Sequence, residues 1–200
     1  MLVEAEGHLE LLRQIALDRG RNPHVLLSVD VEKDPGSSEI WEVGLASAIS
    51  SDSWMIPDIR AEHLVVEEFA NAPNPLKGYG MCHRFNFGRS KLVAKGSLAA
   101  VVSRSIARLT DGAERVVFVG HSIHNDIGWL KAADVRLEMP VCDVAKAYQA
   151  QCGALQLISL QHMMDRMCID CSSLHNGGND AFHTAELCLK MVDLLDQRPQ

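Results

Sequence analysis

Residues 24–32, HVLLSVDVE, place two carboxylates inside a run that otherwise reads as a buried strand. Side chains alternate between the two faces of an extended chain, so Leu27, Val29 and Val31 share one face and Ser28, Asp30 and Glu32 the other. Acids two residues apart repel each other, and burying them unpaired costs several kcal/mol. A fold that keeps them at the end of a core strand must set positive charge against them. An acidic pair is also a common rim feature of a sheet, so this segment alone does not decide between a site and a solvated edge.

The rest of the chain has the pattern of one α/β domain. Apolar residues at helical spacing (Leu9, Leu12, Ile15, Ala16) predict an amphipathic helix over 7–19, ended by Gly20 and the Asn22-Pro23 joint. Residues 1–22 are therefore expected as an N-terminal helical appendage to a main domain over 23–200. IWEVGLASAI at 40–49 reads as a strand joined to the first by a turn at Pro35-Gly36, and HLVVE at 63–67 as a third strand. Residues 70–90, rich in proline, asparagine and glycine, form an irregular excursion, and a broad apolar stripe from Leu92 to Leu109 predicts helix from Ser90 onward. RVVFVG at 115–120 has the β-branched character of a central parallel strand, with Ser122 placed to cap the helix after it. A short strand at 138–142, helices across 143–169 and a last helix over 179–195 complete a mixed sheet with helices on its faces.

Charge is unevenly distributed. The 200 residues carry a formal net charge of −7, which disfavours a protein that coats duplex nucleic acid without sequence preference. Between Glu68 and Asp111, however, there is no acid, while Lys77, Arg84, Arg89, Lys91, Lys95, Arg104 and Arg108 give +7. One wall that attracts an anion and another that holds cations would need such a split. Arg84, Arg89, Lys91 and Lys95 border the irregular excursion and are placed to meet phosphates, whereas Arg104 and Arg108 read as a solvated helix face. Phe85, Phe87 and Tyr79 could stack on bases, but as loop neighbours they are better suited to anchoring that loop to the core.

Two further junctions present acids from apolar scaffold. Asp126 stands in the first turn of the helix after VFVG, and Asp180 opens the last helix, five residues after His175 on a loop that Gly177-Gly178 could turn sharply. Each alone is explained by the helix dipole. Asp30, Glu32, Asp126 and Asp180 meeting at one place would require divalent metal, and hard oxygen ligands suit Mg²⁺ or Mn²⁺.

These segments resemble the DEDDh branch of the ribonuclease-H-like 3′→5′ exonucleases. The likeness rests on Asp-x-Glu in LLSVDVEKD, on Asp126 in VGHSIHNDIGWL and on His175 with Asp180 in HNGGNDAFHTAEL, and it covers about residues 24–195. HRFNFGRSKLV at 83–93 is similar to a segment of a fungal subgroup, and Ser122 stands where the family commonly has Asn. The resemblance implies a ribonuclease-H-like α/β fold and two metal ions, Mg²⁺ or Mn²⁺, held by Asp30, Glu32, Asp126 and Asp180. It implies His175 as general base, with Val31 and Lys33 beside the terminal nucleotide. The implied substrate is the 3′ end of single-stranded RNA or DNA, RNA favoured, with nucleoside 5′-monophosphates released. A nucleic-acid-binding or scaffold protein with little turnover, and a small nucleotide phosphodiesterase, are the competing readings.

The remaining motifs add less. His121 and His124 read as structural, and Thr184 as packing in its helix. His162, Cys168, Cys171 and His175 could bind zinc, but a single Cys-x₂-Cys is weak evidence, and the six cysteines read as reduced core residues. No apolar run reaches the roughly 18 residues of a membrane span. The acidic opening MLVEAEGHLELL does not look like a secretion signal, so an intracellular protein, cytoplasmic or nuclear and with no membrane partner, is expected.

Overall fold

The six strands form one sheet in the order β4-β3-β2-β1-β5-β6, in a computed structural model that describes residues 2–34, 39–51, 58–70 and 84–196. The strands are β1 (Val25–Lys33), β2 (Ile40–Ile49), β3 (Arg60–Val66), β4 (Lys91–Val93), β5 (Val116–Gly120) and β6 (Val141–Asp143). β1 pairs antiparallel with β2 and parallel with β5, so the apolar run that carries Asp30 and Glu32 is central. The helices are α1 (Leu2–Asp18), α2 (Leu98–Thr110), α3 (His124–Ala132), α4 (Val144–Cys152), α5 (Leu160–Arg166) and α6 (Gly177–Asp196). This is the expected mixed α/β sheet with helices on both faces. The Pro35-Gly36 turn, Lys77, Tyr79 and Cys82 lie outside the described residues.

The alternation in β1 sorts the two faces. Leu27, Val29 and Val31 pack with Val43, Leu45, Leu64 and residues of α2 and α3. Leu26, on the opposite face, joins Leu12 and Ile15 of α1, Tyr148 of α4 and Leu187 and Met191 of α6. Asp30 and Glu32 follow Leu26 on that second face, so they point toward α6. The first helix contributes directly to this core, with Leu12 and Ile15 fully buried. Its C-terminal end is fixed by a buried ion pair between Arg19 and Asp193 of α6.

Several local expectations are corrected. The stretch after Ser90 begins as a strand: Lys91–Val93 pair with Leu64–Val66 and supply partners for that edge of β3, and the helix starts only at Leu98. The apolar Leu92 and Val93 fit a strand edge as well as a helical stripe, which is why periodicity did not separate them. The last short strand begins at Val141, because Pro140 has no N–H to donate and offers only its carbonyl, to Phe118 N at 2.8 Å. Ser122 makes no cap bond to α3. Its φ is +58°, and its N–H instead donates to Asp143 Oδ1 at 3.2 Å. Cys142 and Cys188 are core residues as expected, but Cys152 and Cys168 are exposed.

Gly177 and Gly178 do not make the turn before α6. They are its first two residues, and the left-handed positions are Ser173 (φ +55°) and His175 (φ +67°). The glycines are needed for close approach. A Cβ on Gly44 of β2 would lie 1.8 Å from the Gly177 carbonyl oxygen, and one on Gly178 would lie 2.7 Å from His63 Cβ. Gly44→Ala is therefore expected to push α6 off the sheet and destabilise the fold by about 2–3 kcal/mol, as overpacking against backbone does. Urea denaturation checks this, and an unchanged midpoint would refute the contact.

Candidate active site

Three elements deliver the acids. β1 ends with Asp30 and Glu32, α3 begins with Asp126 in its first turn, and α6 begins with Asp180 in its first turn. Ligand atoms of Glu32, His175 and Asp180 all lie within 4.8 Å of one another. Asp126 is tied to the same strand end, because its Oδ1 accepts the Val31 amide, between Asp30 and Glu32, at 2.8 Å. Asp30 lies against the start of α6: a Cβ on Gly177 would sit 3.7 Å from its Oδ2. The structure thus brings Glu32, His175 and Asp180 into one tight group, with Asp30 and Asp126 joined to it through the two residues next to them.

The loop before α6 is shaped by its own polar groups. The His175 amide donates to Asp180 Oδ1 at 3.2 Å and to Oδ2 at 3.0 Å, which folds the left-handed His175 back over the carboxylate. Asn176, fully buried, caps the helix with its Oδ1 accepting Asn179 N–H at 3.1 Å. Aimed at the acids, the helix N-terminus adds favourable partial positive charge.

Burial raises the Asp126 carboxyl from its ordinary 3.8 to about 7; the Val31 amide opposes the rise, and the negative charges of Glu32 and Asp143 add to it. A bound cation would offset that rise by favouring the ionised form. Oxygen donors from carboxylates, one of them pushed toward its neutral form chiefly by burial, fit a hard divalent cation such as Mg²⁺ or Mn²⁺. Asp30, Glu32, Asp126 and Asp180 are the residues that could hold it. Among the described residues, the possible zinc set of His162, Cys168, Cys171 and His175 does not form a cluster.

The expected substrate contacts are placed unequally. Val31 and Lys33 end β1, with Lys33 Nζ 4.6 Å from the centre of the Trp129 ring. Arg84 and Arg89 are exposed on the segment that precedes β4. Lys91 instead donates to Glu62 Oε2 at 2.9 Å, beside Ser105 and Arg108 on the same carboxylate. Burial alone would raise the Glu62 carboxyl, but bonds from Arg108, Lys91 and Ser105 hold it below its ordinary value. Arg108 is thus partnered by Glu62 and not merely solvated. Phe85 and Phe87 anchor their loop: Phe85 packs on His63, and Phe87 stacks on Phe182 with ring centroids 3.4 Å apart. His121 Nε2 is bonded to the Ile158 carbonyl at 2.8 Å, His124 is exposed, and Thr184 is buried in α6.

Four supporting residues escaped the sequence reading. Glu42 stands opposite Glu32 in the β1–β2 register, and its Oε2 meets His63 Nε2 at 3.0 Å and accepts Gly177 N–H at 3.3 Å. An acid within the apolar IWEVG run was the available signal. Asp143 was readable as a helix cap after a short strand, and it caps α4 through Ala145 N at 3.0 Å. His63 and Asn179 gave no signal of their own.

A six-stranded mixed sheet with acids at the ends of β1, α3 and α6 defines a ribonuclease-H-like protein of the DEDD nuclease class. The chain belongs to the DEDDh family described as DNA polymerase III subunit epsilon-like, C-terminal domain, which matches residues 25–191. The uncharacterized protein YDR514C of Saccharomyces cerevisiae is 25% identical over 202 aligned positions, covering 86% of this chain and 42% of the yeast protein. The chain therefore spans less than half of that relative's length. In fold it is similar to S. pombe Pop2p in its Mg²⁺ and Mn²⁺ bound form, with a TM-score of 0.52 at 13% identity, over 100% of this chain and 93% of Pop2p. The RNase domain of the yeast Pop2 protein gives a TM-score of 0.53 at 15% identity, over 96% of this chain and 84% of that domain. Among the described residues no helix is long and apolar enough to cross a membrane.

A carboxyl raised in the folded state binds its proton more tightly there than in the unfolded chain. The stability it confers is complete below pH 3.8 and is lost as pH rises toward 7. In metal-free protein, ionising Asp126 is expected to cost about 4 kcal/mol across that window. With EDTA present, the melting temperature should fall between pH 5 and pH 7, fall less in Asp126→Asn, and recover in wild type on adding Mg²⁺. Identical pH profiles for the two proteins would contradict the assignment.

Proposed function

We propose that this chain is a metal-dependent 3′→5′ exonuclease that removes nucleoside 5′-monophosphates from single-stranded nucleic acid, RNA favoured over DNA. The observation that carries this reading is the gathering of Glu32, His175 and Asp180 ligand atoms within 4.8 Å, at the strand end that Asp126 also grips. Asp30, Glu32, Asp126 and Asp180 would hold two Mg²⁺ or Mn²⁺ ions, the metals named for Pop2p. Bound there, the ions would supply charge stabilisation to the attacking and departing oxygens of the phosphodiester.

The chain's own residues account for the other requirements. His175, exposed and held over Asp180 by its amide, would take the attacking water's proton on a ring nitrogen. Val31 and Lys33, at the end of the strand that carries two of the acids, would border the terminal nucleotide. Arg84 and Arg89 would meet phosphates, while Lys91 could join them only by leaving Glu62. The negative surround of the site disfavours a long duplex and favours a strand end. The RNase domain among the structures of similar fold is the reason for favouring RNA.

The test is a time course on 5′-labelled single-stranded RNA and DNA of matched sequence with Mg²⁺, Mn²⁺ or EDTA. A ladder shortening from the 3′ end, dependent on metal and absent with Asp30→Asn, is expected. His175→Ala should lower kcat by about 10²–10⁴-fold, the range for loss of a general base. Binding without cleavage by folded wild-type protein would favour a nucleic-acid-binding or scaffold role, and cleavage of dinucleotides alone a small phosphodiesterase.

A further inference from the structure

We infer that Asn179 is a positioning residue that ties the arginine-bearing segment 84–90 to the start of α6, so that Arg84 and Arg89 are held in register with the acids. This rests on the exonuclease reading above. Asn179 is fully buried and directly precedes Asp180. Its side chain spans two loops: Oδ1 accepts Asn86 N–H at 2.9 Å, and Nδ2 donates to the Arg84 carbonyl at 2.8 Å and to the Ser173 carbonyl at 2.9 Å. Both amide protons and the amide oxygen are thereby used, on backbone that flanks Arg84 on one side and His175 on the other.

A buried amide is costly unless its groups are paired, so a side chain that places all of them on two loops fixes those loops relative to each other. Alanine at 179 would leave one N–H and two carbonyls to find water. Two further contacts tie the same segment down. Phe87 stacks on Phe182, which follows Asn179 by less than one turn, and Asn86 Nδ2 donates to Ser172 Oγ at 3.1 Å. Arg84 is therefore separated from Asp180 by one side-chain bridge, which holds the segment against the start of α6.

Strand affinity and turnover separate this role from a merely structural one. Fluorescence anisotropy with a labelled single-stranded oligonucleotide in Ca²⁺, and steady-state cleavage in Mg²⁺, would be measured for wild type, Asn179→Ala, an Arg84→Ala/Arg89→Ala double variant, and the three changes together. Asn179→Ala is expected to raise Kd and KM about tenfold and change kcat less than about threefold, with little added effect when both arginines are already gone. An unchanged Kd, a fall in kcat at constant KM, or full additivity with the arginine changes would overturn the inference. If Asn179→Ala fails to fold, Phe182→Ala loosens the same segment from a partly exposed position and should raise Kd about threefold, and no change there would overturn it equally. Strand binding by wild type without metal-dependent cleavage would refute the exonuclease reading, while the anisotropy comparison would still decide the role of Asn179.

Discussion

Two backbones touch at the centre of this molecule, and the site depends on that contact. Gly44 of β2 and Gly177 of α6 approach so closely that a side-chain carbon on Gly44 would overlap the Gly177 carbonyl. Because β2 pairs with β1 through Asp30↔Gly44 and Glu32↔Glu42, bringing α6 onto β2 also brings it onto the acids of β1. The approach is locked by Glu42, which accepts the Gly177 amide and is itself held by His63. His63 Nε2 meets Glu42 and its Nδ1 lies 2.8 Å from Ser90 Oγ, so one chain of hydrogen bonds links the segment before β4, the sheet and the start of α6.

The same contact explains how so much negative charge survives in an apolar fold. Three acids accept backbone amides: Asp126 that of Val31, Asp180 that of His175 and Glu42 that of Gly177. Amide donors and a helix N-terminus favour the ionised forms without supplying a full positive charge. Burial still leaves Asp126 with a raised pKa, and the remaining imbalance is what a divalent cation would neutralise.

How much of this was legible in the sequence follows from which interactions are local. Asp30 and Glu32 were legible because strand alternation is a property of consecutive residues. His175 and Asp180 were legible as a pair because five residues of one loop bring them together. The mixed sheet followed from the sequence of apolar runs. Lys91–Val93 was misread because three apolar-rich residues at a sheet edge look like the first turn of the helix that follows. Gly177 and Gly178 were read as a turn because a glycine's need for space comes from a distant partner, here Gly44 and His63, that no local pattern displays. Asn179 was invisible for the same reason: two of its side chain's three partners, Asn86 and Arg84, lie 93 and 95 positions away, in a stretch that composition marked only as basic and irregular.

The account stands on the claim that β1, α3 and α6 preassemble a divalent-cation site. Mn²⁺ titration at neutral pH, followed by electron paramagnetic resonance of the free ion, tests it without reference to any substrate. Saturable binding by the wild-type protein is expected, weakened at least about tenfold in Asp180→Asn, since the charge of one carboxylate is lost. Equal binding by the two folded proteins, or none by wild type, would contradict it.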